Sequence, residues 1–175
     1  MPTCMLAIEG YGDSHLLREI VSTLSQRRVD IRTLSAVLDA DLTRVHLEVE
    51  VGDAHEAELV VKRLNRIVSV VKVTLNDDRS AHVRVATVVL VRAESTESRT
   101  HVLELARALF AEVLEINEAG ITLSICATPA KRAEFLALVD RFGVIDLAES
   151  GPVALRRARR RTTERKHPQL KVVSA

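Results

Sequence analysis

The spacing of apolar residues changes period several times along the chain. Thr3–Glu9 is a short apolar run and predicts a strand. From Ser14 to Arg28 the pattern becomes helical. Leu17, Ile20, Val21 and Leu24 share one face, while Arg18, Glu19, Ser22 and Gln26 face away. Asp13 or Ser14 suits the N-cap of this helix. Val29–Leu38 returns to strand composition, and Asp39-Ala40-Asp41 is a turn. Val45, Leu47, Val49 and Val51 then alternate with His46, Glu48 and Glu50, as in a strand buried on one side only. Gly52 ends that run. Asp53 with Glu56 makes a capping-box-like start for a helix reaching about Arg66. Val68–Leu75 is a fourth strand.

The same order then recurs. Val83–Val91 is an apolar strand, and Ser98–Phe110 is a helix with Val102, Leu105, Ala106 and Leu109 in phase. Glu112–Asn117 and Gly120–Cys126 read as a strand pair around a Glu118-Ala119-Gly120 turn. Thr128-Pro129 supplies an N-cap and a first-turn proline. That helix runs to Phe142, Gly143 stops it, and Val144–Leu155 is one last extended segment.

Each half therefore reads β-α-β-β-α-β. The fold class is α+β, with two ferredoxin-like βαββαβ domains in tandem. The expected division is residues 1–76, a linker at 77–81, a second domain at 82–155 and a basic tail at 156–175. Each small sheet has helices on one face only, which leaves the other face and an edge strand to be covered. A homodimer is the expected solution.

Composition narrows the chemistry. Aromatics are 2% of the 175 residues, so Val, Leu, Ile and Ala must build the core. Few rings also weigh against a base-stacking nucleic-acid platform. Residues 156–175 carry eight Lys or Arg against one Glu, whereas the other 155 residues carry 17 basic against 23 acidic side chains. This is an acidic body with a basic tail. The tail is read as an extension that contacts the body or a partner, ahead of a phosphate-binding patch. Cys4 and Cys126 stand in no motif, so a reducing cytoplasm is expected and a disulfide is not. No apolar run approaches the length of a membrane helix, and the first ten residues lack the pattern of a signal peptide. His101 and Glu104 share a helix face, but no further ligand pattern accompanies them, and a solvated face is the reading preferred over a metal site. No nucleophile elbow, phosphate loop or paired catalytic carboxylates are evident, so the chain is not expected to be a catalyst.

The turn Gly10-Tyr11-Gly12-Asp13-Ser14-His15 has a location of special interest. A strand hands over to a helix N-terminus there, and free N–H groups with a positive dipole end make a natural anion site.

Several segments together carry a family resemblance. Leu24–Val37, LSQRRVDIRTLSAV, is similar to FSRRGFNIxSLxV, and Leu64–Val73, LNRIVSVVKV, is similar to LNKLVxVLKV. Ala111–Leu155 is similar to AxVVDVSPxxxTIExTGxxxKxxAFLxLLxPFGIxELxRxGxxAL. In order and spacing, nearly end to end, the chain resembles the small, regulatory subunit of acetolactate synthase (acetohydroxyacid synthase). The resemblance implies an N-terminal ACT domain followed by a second ferredoxin-like domain. It implies a non-catalytic chain that binds and activates a large subunit in branched-chain amino acid biosynthesis. It places thiamine diphosphate, magnesium and FAD in that partner, with no cofactor on this chain. Feedback by valine or another branched-chain amino acid is implied at the ACT dimer interface, at the first strand-to-helix turn.

The expected effector-binding residues are Gly12, Asp13, Ser14, His15, Leu16 and Asp30. The chain departs from its family at this turn. The family turn reads ENxxGxL, with an Asn side chain on the amino acid and a Gly N–H on its carboxylate. Ungapped alignment puts Gly12 at the Asn and His15 at the Gly, with Asp30 at a second Asn. Arg28 stands where the family has the glycine of RRG. Asp13 can hold an ammonium group in place of the Asn, and the Ser14 or His15 N–H can hold a carboxylate. The expected function is partner binding with feedback altered or lost. The alternative is a stand-alone ACT-type amino-acid sensor without that enzyme partner.

Overall fold

The computed structural model describes residues 3–12, 14–39, 41–76 and 80–158. Strand β1 (Thr3–Gly10) leads to helix α1 (Ser14–Ser25), and β2 (Ile31–Val37) and β3 (Thr43–Glu50) form a hairpin. Helix α2 (Ala54–Leu64) and β4 (Val70–Asn76) complete the first unit. The second unit repeats it with β5 (Ala81–Arg92), α3 (Thr96–Leu109), β6 (Glu112–Ile116), β7 (Gly120–Ala127), α4 (Pro129–Val139) and β8 (Val144–Glu149). A short strand β9 (Val153–Arg156) follows. The sheet orders are β2-β3-β1-β4 and β6-β7-β5-β8, antiparallel throughout. Both units are ferredoxin-like.

Alternation sets the first core. Val45, Leu47 and Val49 point to the helices and are essentially sealed, opposite Leu6 and Ile8 of β1. Leu16, Ile20 and Leu24 of α1 and Ala57, Val60 and Leu64 of α2 close over them. Burying each of these larger aliphatic side chains contributes about 1.5–3 kcal/mol. The buried stripe of α1 is turned by one position from the expected one. Leu16 is inside, Leu17 only borders the core and Val21 is 36% exposed. The helix starts from a turn that draws Leu16 under β1, and that contact sets its rotation. The second core joins Val89, Val91, Ile121, Leu123 and Ile125 to Val102, Ala106, Phe135 and Val139.

The caps form as the sequence indicates. The Asp53 carboxylate accepts the Glu56 N–H at 2.7 Å, and Glu56 accepts the Gly52 N–H at 2.5 Å. Thr128 accepts the Lys131 N–H at 3.3 Å, with Pro129 next in line. Helix α1 ends at Ser25, three residues short of the expected end. Arg28 then sits at φ 55°, the left-handed conformation that glycine adopts without cost.

Val144–Leu155 is not one strand. Gly151-Pro152 breaks it, β8 pairs with the C-terminal half of β5, and β9 pairs with Ala81–Arg84. This gives β5 two roles. Its far half is central in the second sheet. Its first residues, with β9, lie under the helix-free face of the first sheet, where Ala81, Val83 and Ala154 pack on Met5. The Ala154 N–H reaches His46 Nδ1 at 3.5 Å. Residues 77–79 of the expected linker lie outside the described residues, as do residues 159–175 of the expected tail, and Ala81 belongs to β5.

Arg28→Gly is expected to raise stability by about 0.5 kcal/mol, the relief of left-handed strain exceeding the added freedom of the unfolded chain, as read by urea unfolding. Burial holds the His46 pKa below its ordinary value. The neutral ring is the folded form, so this contribution is full above the unfolded pKa of about 6.5 and falls away as pH drops through the lower folded value. The melting temperature of His46→Gln is expected to fall less than that of the unmodified chain between about pH 7 and about pH 5.

Candidate functional site

The strand-to-helix turn is built on close approach. A Cβ on Gly10 would meet Ser69 O at 2.6 Å and Leu16 Cδ2 at 2.7 Å, so only glycine fits between β4 and the first turn of α1. The Tyr11 N–H donates to Ser69 O at 2.8 Å. Gly12 follows at φ 115°, a conformation open to glycine, and its carbonyl accepts a hydrogen bond from the wholly buried Thr43 hydroxyl. The turn is therefore tied to β4 on one side and β3 on the other. Helix α1 has no acidic residue in its first turn, unlike α2, whose N-terminus is occupied by Asp53 and Glu56.

Not all of the expected effector residues meet here. Gly12, Ser14 and His15 are exposed on the turn and the start of α1. Asp13 lies outside the described residues. Leu16 is 1% exposed and serves the core, holding the turn down from beneath. His15 Nδ1 lies 3.8 Å from Glu19 one helical turn on, so its ring leans along α1.

Asp30 is elsewhere. Its carbonyl accepts the Glu50 N–H at 2.9 Å, and Glu50 pairs with Thr3 at the far end of β1. The turn follows Gly10, which pairs with Thr43. At the rise of a β-strand, these two ends are about 23 Å apart. Within one chain Asp30 and the turn cannot share a small ligand. Sequence alignment places both positions on a family pattern but carries no information on this distance. Thr43 and Ser69, which hold the turn in place, were also not legible. They lie 31 and 57 residues beyond Gly12 in the chain, and no local pattern links them to it.

Among the described residues no group of three or more His, Cys, Asp or Glu is placed to hold a metal ion. Burial pushes the Cys4 thiol up to about 11, with Glu48 and Glu56 adding to the effect, so it is a neutral thiol at ordinary pH. No helix among the described residues is long and apolar enough to cross a membrane.

Residues 3–74 match the ACT domain, and residues 84–158 match the family described as the small subunit of acetolactate synthase. Its first half thus carries the match to the ACT domain, and its second half the match to the acetolactate synthase small-subunit family. Similar relatives carry that name. The acetolactate synthase small subunit of Mycolicibacterium smegmatis is 26% identical over 161 residues, covering 91% of this chain and 94% of the relative. The probable acetolactate synthase small subunit of Archaeoglobus fulgidus is 26% identical over 145 residues, covering 81% and 89%. In fold, the chain is similar to the crystal structure of the acetolactate synthase small subunit of Thermotoga maritima. The TM-score is 0.80 at 20% identity, over 91% of this chain and 99% of that one. The ACT model thus covers the first βαββαβ unit and the small-subunit model the second.

Thr43→Val keeps the side-chain shape but leaves the Gly12 carbonyl without its donor. It is expected to cost about 1 kcal/mol and to speed amide exchange at Tyr11 more than in β7, measured by native-state hydrogen exchange.

Proposed function

We infer that this chain is a non-catalytic regulatory subunit. In this reading it binds and activates the thiamine-diphosphate-dependent large subunit of an acetolactate synthase in the cytoplasm. Thiamine diphosphate, magnesium and FAD belong to that partner. The observation that carries the reading is collinearity: both units, in the family's order, account for nearly all of the described chain. The chain works as a homodimer. Its edge strand β2 leaves Leu34 and Val37 exposed, with Leu38 just beyond, and Tyr11 is exposed on the adjoining turn. A second copy covers this edge and brings its own Asp30 to the turn that one chain leaves without it.

Feedback by valine is altered or lost. The Gly12 position offers no side chain to an amino acid, and the His15 side chain stands at the helix start where a carboxylate would approach. The same change favours a second reading, a stand-alone amino-acid sensor without an acetolactate synthase partner.

Copurification with the cognate large subunit separates the two. A stable complex and a rise in acetolactate formation are expected. No complex, together with a melting shift on adding a single amino acid, would establish the sensor. The turn is tested by His15→Gly combined with Gly12→Asn. Among the described residues a Cβ at position 12 meets only Leu16 Cβ, at 3.7 Å, so there is room for the new side chain once φ relaxes from 115°. Valine inhibition of the complex is expected to appear or strengthen. An unchanged response means the turn is not what limits it.

A further inference from the structure

A cavity of about 850 Å³ lies away from the turn, lined by the first sheet and the start of α2 on one side and by α4 and the β8–β9 segment of the second unit on the other. One wall is a single row across four strands. Thr33 pairs with Glu48, Glu48 with Met5, and Met5 with Asn76. All four residues line the cavity. Arg156 of β9 lines it from the other unit, as does Arg132, which is engaged with Glu149.

Two members of the row are unmet. Asn76 is 3% exposed, and among the described residues neither its amide nitrogen nor its amide oxygen has a hydrogen-bond partner. The Thr33 hydroxyl is also buried with no partner among the described residues. A buried amide with both ends unmatched is rare, because losing its bonds to water is not repaid. Its two ends can serve a donor and an acceptor on the same guest. Of the charged lining residues, Asp53 caps α2 and Glu149 is engaged with Arg132, which leaves Glu48 to supply a negative charge in this row and Arg156 a positive one on the facing unit, while Met5, Leu75 and Val85 give the cavity an apolar lining. A guest with only one sign of charge would meet an unfavourable partner on one wall.

We propose that this cavity is a binding site for a small zwitterion of amino-acid or dipeptide size. Its ammonium faces Glu48, its carboxylate faces Arg156, and Asn76 with Thr33 holds its polar middle. The site is independent of the β1–α1 turn and of whether that turn still takes an effector. Occupancy ties the first sheet to β9, so binding couples to how the two units hold together.

The test is calorimetric titration of the full chain with the twenty L-amino acids and a set of glycine-containing dipeptides, with sulfate and putrescine as single-charge controls. At least one zwitterion is expected to bind saturably. Arg156→Gln and Glu48→Gln are each expected to weaken it about tenfold, as is Asn76→Leu, which keeps the volume. His15→Glu, which places an acid at the turn, is expected to leave it unchanged. Arg156 is exposed, so its variant reports on the site even if Asn76→Leu fails to fold. The proposal is overturned if no zwitterion binds or if sulfate or putrescine binds as well. Binding that follows His15→Glu and ignores Arg156→Gln also overturns it, and would leave the regulatory reading of the turn standing.

Discussion

The architecture depends on how one long strand is divided. A four-stranded sheet with helices on one side leaves its other face bare, and the first unit cannot cover that face from its own residues. Strand β5 solves this by being longer than its sheet requires. Its first residues leave the second sheet, pair with β9 and lie against Met5, while the rest forms the centre of the second sheet. The two units are thus joined by the packing of Ala81, Val83 and Ala154 on Met5 as well as by a linker. The His46 contact, the β9 strand and the interdomain cavity exist only because β5 spans both units.

The elements were legible wherever local chemistry decides them. The alternation of β3 and the caps at Asp53 and Thr128 need only neighbouring residues, and they form as read. Arg28 in a glycine position was readable as an anomaly, and the backbone there has the left-handed φ that a glycine would ease. The errors lie where distant contacts decide. The rotation of α1 follows from Leu16 meeting Gly10, and the break at Gly151-Pro152 follows from β5 offering two different partners. A period of apolar residues cannot distinguish Leu16 from Leu17 at the first turn of a helix.

The candidate site was legible as a place and not as an assembly. A glycine-bearing turn before a helix marks an anion-friendly location from sequence alone. What holds it open is long-range: Ser69 and Thr43 tie the two sides of the turn, and both are ordinary residues with no motif around them. Asn76 was equally silent. It is a polar residue at a strand end, and only the packing of a second unit over it makes its amide conspicuous.

The separation of Asp30 from the turn has a consequence for how sensing would behave in dilute solution. Any small ligand that touches both positions must bridge two copies of the chain, because one chain keeps them at opposite ends of β1. Ligand affinity and self-association are then linked by mass action: each strengthens the other. A sensor built this way loses apparent affinity as its own concentration falls, even with no change in any contact. Its response is set by subunit abundance as much as by the chemistry of the pocket.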